Sequence, residues 1–161
     1  MAVIKNGYGQ IELTRVSFTK DGNIEAQCEY VATKDAEGNP EVLENGKIVA
    51  VDKAAKKVYD AEKIPAEVTK ENLVYGVNYT TEKIYNQFTP GRKHFAVVDG
   101  EYPRVGILKA GDVFATNAYL EDKGEVPEVG TVKTVGAIKL LVADNEIGTA
   151  DGQTAVKYQV L

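Results

Sequence analysis

The stretch that decides the predicted fold is residues 10–33, with the sequence QIELTRVSFTKDGNIEAQCEYVAT. Apolar and polar residues alternate on both sides of Asp21-Gly22, as they do in half-buried strands. Asp-Gly pairs tolerate the positive φ angles that tight hairpin turns require. We therefore predict a hairpin in which Gln10–Thr19 and Ile24–Thr33 pair across a turn at Lys20–Asn23.

The same pattern of turn dipeptides and strand-like runs continues through the chain. Further turns are predicted at Asn6-Gly7, Asn45-Gly46, Asp99-Gly100 and Asp151-Gly152. Further strands are predicted at Lys47–Val51, Lys57–Tyr59, Leu73–Tyr79, His94–Val98, Tyr102–Leu108, Asp112–Leu120, Thr131–Val142 and Thr154–Leu161. Because strands recur at roughly 8–12-residue spacing, a small β-barrel or sandwich is favoured over a fold that alternates strands with helices.

Several segments allow more than one interpretation. Asp52–Lys57 has some helical spacing, but a Lys-rich turn between two strands is preferred. Residues 80–88 could form a short capped helix or continue a strand, so the fold has at most one or two short helices. Lys34–Gly46 and Glu121–Gly130 are predicted to be surface loops, and Gly136 is predicted to mark a bulge or corner.

The chain is predicted to be a mostly β protein with an N-terminal arm. Met1–Gly9 is interpreted as an extended arm, in which Ala2-Val3-Ile4 could pair as an edge strand and Gly7-Tyr8-Gly9 could act as a joint. Residues 10–161 are predicted to form a single β domain. A weak subdivision near residues 65–73 is the one boundary that the sequence suggests.

Composition narrows the classes of function. The chain has 161 residues, of which 43% are hydrophobic and 27% charged, and its net charge is −5. This acidic balance argues against nucleic acid as a main partner. No apolar run approaches the ~20 residues of a transmembrane helix, and the N-terminus lacks a secretory signal. We therefore expect a soluble protein that is synthesised in the cytoplasm and has no membrane partner.

The residue types of common catalytic and metal sites are scarce. His94 is the single histidine, Ser17 the single serine and Cys28 the single cysteine. Cys28 shares a predicted strand face with apolar residues, so a buried structural thiol is expected. The acidic loop Asp144–Gly152 does not match the calcium-binding EF-hand spacing. We expect no enzymatic activity, no cofactor and no metal site.

Aromatic residues are concentrated in the middle of the chain, with arginines between them. The group contains Tyr75, Tyr79, Tyr85, Phe88, Arg92, Phe95, Tyr102 and Arg104. Tyr and Arg are enriched at the energetic centres of protein–protein interfaces. The alternative is that about half of these side chains belong to the core or rim of a small barrel.

Four sequence blocks in this region resemble a known family. They are Tyr79–Tyr85 (YTTEKIY), Pro90–Phe95 (PGRKHF), Gly100–Gly106 (GEYPRVG) and Gly111–Asn117 (GDVFATN). These blocks, with the opening residues 6–10 and the closing residues 151–157, resemble the head decoration (auxiliary or cement) proteins of tailed bacteriophages. The resemblance implies a non-enzymatic β-tulip or other small β-barrel that binds the outer surface of the capsid and stabilises the head.

The resemblance also implies partners and a location. The major capsid protein would be the partner, the chain could form a homo-oligomer with a trimer favoured, and the site of action would be the exterior of the virion. The residues expected to contact the capsid or sister subunits are Ala2, Val3, Ile4, Tyr8, Tyr75, Tyr79, Tyr85, Phe88, Arg92, Tyr102 and Arg104. Two alternatives stay open: another phage structural role (tail, connector or fibre base), and a small β-barrel enzyme or ligand-binding module. The last alternative predicts a concave pocket with convergent polar groups.

Overall fold

The computed structural model describes residues 11–80, 96–120, 124–148 and 154–161. The protein is mostly β, with 45% strand and 5% helix, and its strands form two curled sheets, one of them a half-barrel. The strands are β1 (Ile11–Arg15), β2 (Ile24–Glu25), β3 (Glu29–Tyr30), β4 (Ile48–Asp52), β5 (Lys57–Asp60), β6 (Leu73–Asn78), β7 (Val105–Ile107), β8 (Val113–Thr116), β9 (Val132–Val135), β10 (Ile138–Gly148) and β11 (Thr154–Val160). A short helix, α1 (Phe18–Asp21), and a 3₁₀ turn at Lys70–Asn72 complete the described elements. The predicted fold class, a mostly β barrel or sandwich, is confirmed.

The strands divide into two sheets. The first sheet has the order β1-β8-β11-β10-β9 and is antiparallel throughout. The second sheet has the order β2-β7-β6-β4-β5-β3, and its β3–β5 pair is parallel. Some neighbours, such as β1 with β8 and β2 with β7, come from distant parts of the sequence, so the architecture depends in part on long-range pairing.

The second sheet is buried on both of its faces, and β4 shows why. Its sequence IVAVD is an almost continuous apolar run, which is typical of a strand covered on two sides. Ile48 and Ala50 point into the larger core cluster, which the first sheet covers, whereas Val49 and Val51 point into a smaller cluster. The smaller cluster also contains Cys28, Tyr30, Leu43, Val58, Val97, Val105 and Ile107.

The hairpin predicted for residues 10–33 is wrong. β1 pairs with β8 in the first sheet, whereas β2 pairs with β7 and β3 with β5 in the second. Between β1 and β2 the chain forms α1, which ends at Gly22 in a left-handed conformation (φ 67°). The ring of Phe18 is fully buried in the larger core cluster, and its burial favours this helical turn over a continued strand.

Most other predicted strands are confirmed. β4 and β5 pair antiparallel across a turn at residues 53–56, as the preferred interpretation of the Lys-rich segment requires. β6, β7, β8 and β11 lie within the predicted ranges. From the range His94–Val98, the described part contributes a single bridge between Leu43 and Val97.

The region after residue 130 differs from the prediction. Thr131–Val142 is two strands, because Gly136 (φ 57°) and Ala137 form the turn of a hairpin that joins β9 to β10. β10 also continues through Gly148, with register shifts on either side of Asp144. Part of the predicted acidic loop is therefore an irregular strand paired with β11.

The predicted loop Lys34–Gly46 is only partly a surface segment. Leu43 and Glu44 are almost fully buried, and the Leu43 amide and carbonyl pair with Val97 at 2.8 Å each. Gly46 and Gly100 have positive φ, as the turn prediction requires. Other predictions lie outside the described residues: the N-terminal arm, the turns Asn6-Gly7 and Asp151-Gly152, and the short helix after Thr80.

Candidate protein-binding surface

The described part of the chain includes four of the residues predicted to bind a partner: Tyr75, Tyr79, Tyr102 and Arg104. The other predicted interface residues, Ala2, Val3, Ile4, Tyr8, Tyr85, Phe88 and Arg92, lie outside the described residues.

Tyr75 lies in the core and not on the surface. Its side chain is 5% exposed and belongs to the larger core cluster. Its ring lies beneath the turn of the β9–β10 hairpin, where a β-carbon at Gly136 would collide with the phenol. Tyr75 is therefore inaccessible to a partner of the folded chain.

Tyr79 and Arg104 form a pair at the surface. The backbone amide of Tyr79 donates to the Arg104 carbonyl at 3.0 Å, which places the two side chains next to each other. The Arg104 guanidinium lies 5.0 Å from the centre of the Tyr79 ring, and its Nε donates to the Tyr79 hydroxyl at 2.9 Å. The Tyr79 ring also contacts the ring of Phe18, with centroids 5.2 Å apart. Tyr79 thus connects the exposed arginine to the core.

Polar residues around the end of β6 hold this pair in place. Asn78 is fully buried and donates from its amide nitrogen to the Glu44 carbonyl at 3.0 Å. The Thr80 hydroxyl donates to the Asn78 side-chain oxygen and accepts the Arg104 amide at 2.9 Å. Asn45 adds a bond to the Thr80 carbonyl at 2.9 Å. Because hydrogen-bonded buried polar groups fix local geometry, these bonds preorganise the surface pair.

Tyr102 is the most exposed large aromatic side chain of the described residues, at 60%. It follows a turn over residues 98–101, in which Gly100 has a φ of 86°. Tyr30 fixes this turn, because its amide donates to the Glu101 carbonyl at 2.8 Å and its carbonyl accepts the Gly100 amide at 3.0 Å. Pro103 is buried between two exposed neighbours, Tyr102 and Arg104, which lie two residues apart in the chain.

We refer to Tyr79, Tyr102 and Arg104 as the aromatic–arginine surface. Sequence reasoning identified all three residues but missed the two that position them, Asn78 and Thr80. Small polar residues at a strand end give no specific signal in a single sequence. A rigid Tyr and Arg pair beside an exposed Tyr is a combination that protein interfaces use as an anchor, because little side-chain entropy is lost on binding.

A cleft of about 270 Å³ lies on another part of the described surface, lined by Asp35, Glu41, Val42, Glu44, Lys47, Asp60, Glu62 and Lys63. Both of its lysines are paired with carboxylates of the same lining. The Lys47 ammonium lies 3.2 Å from Asp60 and 3.3 Å from Glu62, and Lys63 pairs with Glu41. Burial opposes the charge on Lys47, but these two carboxylates raise its pKa above the ordinary value. The two cationic groups of the cleft are thus already engaged by its own carboxylates.

The residue types considered for catalysis have structural roles where they are described. The Ser17 amide and hydroxyl both donate to Asp112, at 2.9 and 3.2 Å, which ties α1 to the start of β8. Cys28 is 2% exposed, and burial raises the pKa of its thiol to about 11. A nucleophilic thiolate requires a shift in the opposite direction. His94 lies outside the described residues.

The described residues contain neither a candidate metal site nor a helix that could span a membrane. Within residues 11–80, 96–120, 124–148 and 154–161, no group of three or more His, Cys, Asp and Glu residues could hold a metal ion. Among the described residues, no helix has the length and apolar character required to span a bilayer.

No family model, curated protein or solved structure gives a significant match to the chain. The fold and the aromatic–arginine surface are therefore the basis for a functional assignment, together with the resemblance of the sequence blocks.

Proposed function

We propose that this chain is a head decoration protein of a tailed bacteriophage, which binds the outer surface of the capsid and has no catalytic activity. The observation that carries the proposal is the aromatic–arginine surface. Tyr102 is 60% exposed on a hydrogen-bonded turn, and Arg104 lies beside it against Tyr79. An exposed aromatic side chain on a rigid support is the usual anchor of a protein interface.

The mostly β architecture supports the same proposal. A decoration protein needs a rigid body, and two sheets that pack on a common core supply one. The capsid presents each binding site many times, so a modest interface of roughly 800 Å² per partner is sufficient when it is repeated over a lattice. The acidic net charge of −5 disfavours competing attachment to the phage DNA.

The proposed partner is the major capsid protein encoded in the same genome. The test is co-sedimentation of the purified chain with undecorated heads assembled from that capsid protein. We expect the wild-type chain to pellet with the heads and to saturate. If the chain stays in the supernatant while it binds tails or connectors, the alternative phage structural role replaces this proposal.

Truncation of Tyr102 tests the surface itself. Tyr102→Ala is expected to weaken head binding by about 10- to 30-fold, which corresponds to the roughly 1.4–2 kcal/mol typical of an interface anchor. Leu161→Ala is the matched control, because Leu161 is a comparably exposed apolar residue, at 52%, outside this surface. Equal binding by the two variants would show that the aromatic–arginine surface does not contact the capsid.

A further inference from the structure

β9 is an edge strand with one side open among the described residues. It pairs with β10 through Val135↔Ile138, Thr134↔Lys139, Lys133↔Leu140 and Val132↔Leu141. The Thr131 carbonyl accepts the Val142 amide at 2.9 Å, which places residues 131, 133 and 135 in the hydrogen-bonded pairs of the ladder. The amide and carbonyl groups of Val132 and Thr134 therefore point away from β10, toward the open side.

Exposed valines accompany this edge. Val126, Val129 and Val132 are 36%, 58% and 46% exposed. They are three of the six large hydrophobic side chains exposed in the described residues, and all lie within the segment that leads into β9 and begins it. A single exposed valine is ordinary, but such a group beside backbone groups that no other described residue pairs is a template for an added strand.

The other sheet edges are less suited to this role. β1 has a register shift between Leu13 and Arg15, and such a bulge bends an edge out of line. β2 has two residues. The outer side of β3 is occupied, because Tyr30 exchanges hydrogen bonds with Glu101 and Gly100. Of these edges, β9 combines regular pairing with exposed apolar side chains.

We propose that the β9 edge binds residues 2–4 of a second copy of this chain as an added strand. Ala2-Val3-Ile4 is a short apolar segment with two β-branched residues, which suits an edge lined by valines. The first ten residues contain Lys5 and no acidic residue, whereas Glu125 and Glu128 are exposed on the segment before β9. The charges of donor and acceptor are thus complementary.

The topology favours a second copy over the same copy. Residues 1–10 lead into β1, which lies at the opposite edge of the first sheet from β9. Four strand spacings of about 4.8 Å separate the two edges, roughly 19 Å in total. Residues 5–10 reach only about 20 Å when fully extended, so docking on the chain's own β9 would leave no slack. A neighbouring copy imposes no such limit.

The contact is heterologous, because donor and acceptor are different surfaces, and its repetition produces a ring or an open chain of copies. It concerns contacts between copies of this chain and does not depend on the proposed binding to the capsid.

The test uses complementary full-length variants. Thr134→Pro removes an amide that points toward the open side and leaves the bonds to β10 in place. The double variant Val3→Asp/Ile4→Asp prevents residues 2–4 from binding and leaves the β9 edge intact. In sedimentation velocity we expect the wild type to self-associate, each variant alone to associate at least tenfold more weakly, and their mixture to form a dimer through the one intact donor–acceptor contact. Thr134→Ala, which retains the amide, should behave as the wild type.

A second edge variant tests the same contact if Thr134→Pro fails to fold. Val132→Lys changes an exposed side chain, places a positive charge against Lys5 and should weaken self-association to a similar degree. The proposal is overturned if the wild type is monomeric at all concentrations, if Val132→Lys associates as the wild type does, or if folded variants fail to combine in the mixture.

Discussion

Tyr79 is the side chain on which the aromatic–arginine surface is assembled. Its ring packs on the buried Phe18 ring, and its hydroxyl accepts the Arg104 Nε–H at 2.9 Å. An arginine held in this way keeps its charge exposed while its rotamers are restricted, which reduces the entropy lost on binding. Tyr79 therefore contributes to the surface by positioning Arg104.

Removal of one hydroxyl tests this role. Tyr79→Phe keeps the ring on Phe18 and removes the acceptor of the Arg104 bond, so we expect binding to undecorated heads to weaken by about 3- to 10-fold, the equivalent of one modest hydrogen bond. Tyr119→Phe, at another half-buried tyrosine that packs on the larger core cluster, should leave binding unchanged. A Tyr79→Phe variant that binds as tightly as the wild type would contradict the positioning role.

Sequence reasoning at this scale identified the surface residues but could not separate them from Tyr75. Tyr75 lies inside β6, a strand with apolar residues on both faces, whereas Tyr79 lies just beyond the end of that strand. Because both faces of β6 are buried, alternation of polar and apolar residues carries no information about which tyrosine is exposed. The position of the end of β6 determines which tyrosine is exposed.

At the scale of elements, the β9–β10 hairpin depends on Gly136. This residue has a φ of 57°, and a β-carbon there would collide with the Tyr75 phenol. Left-handed backbone and lack of space both require glycine.

Gly136→Ala is therefore expected to lower the free energy of unfolding by about 2–4 kcal/mol, from backbone strain and overpacking combined. Gly111→Ala is the control, because Gly111 has a φ of 92° but no neighbouring atom near its added β-carbon. Gly111→Ala should lower the free energy of unfolding only through the backbone strain, by about 1 kcal/mol. Urea unfolding of both variants measures the difference, and equal losses would show that the Tyr75 contact is unimportant.

Local patterns predicted strands well and their partners poorly. The Lys-rich turn between β4 and β5 was predicted because the two strands are adjacent in sequence and in the sheet. The predicted hairpin at residues 10–33 is wrong because β1 pairs with β8 and β2 pairs with β7, strands that lie far away along the sequence.

 The separation is about 100 residues for β1 and β8, and about 80 for β2 and β7. Pairing over such distances is determined by packing of the whole core, and a local window of sequence does not contain it.

At the scale of the whole molecule, alternation, turn dipeptides and the scarcity of helix signals were sufficient to predict the mostly β class. The division into two sheets was not predictable. It depends on features such as Gly106, where a β-carbon would collide with the Phe18 ring. The helix α1 can therefore pack against β7 only if this position is a glycine. A single glycine in a strand pattern does not reveal which side chain it accommodates.

Buried ionisable groups make the folded protein sensitive to alkaline pH. Burial raises the pKa of the Cys28 thiol from its ordinary value of 9 to about 11, and it raises the pKa values of the Tyr30 and Tyr158 phenols. A raised pKa means that the folded state retains protons that the unfolded state releases. Stability from these groups is therefore complete below the unfolded pKa values and is lost as the pH rises through the folded ones.

We expect the free energy of unfolding in urea to fall between pH 8 and pH 10.5, with about 1–2 kcal/mol of the loss due to Cys28 alone. Cys28→Ala removes the thiol and should show a correspondingly smaller loss over the same interval. An unfolding free energy that stays constant from pH 8 to pH 10.5 in the wild type would contradict this account.

The central claim is that the chain acts by binding copies of another protein on a repeating surface. The most direct measurement is the saturation stoichiometry of the chain on undecorated heads, determined by quantifying both proteins in sedimented heads over a titration. The account predicts a plateau at a fixed ratio of chain to major capsid protein, which does not rise with further addition. Binding that never saturates, or no binding above that to an unrelated capsid, would contradict it.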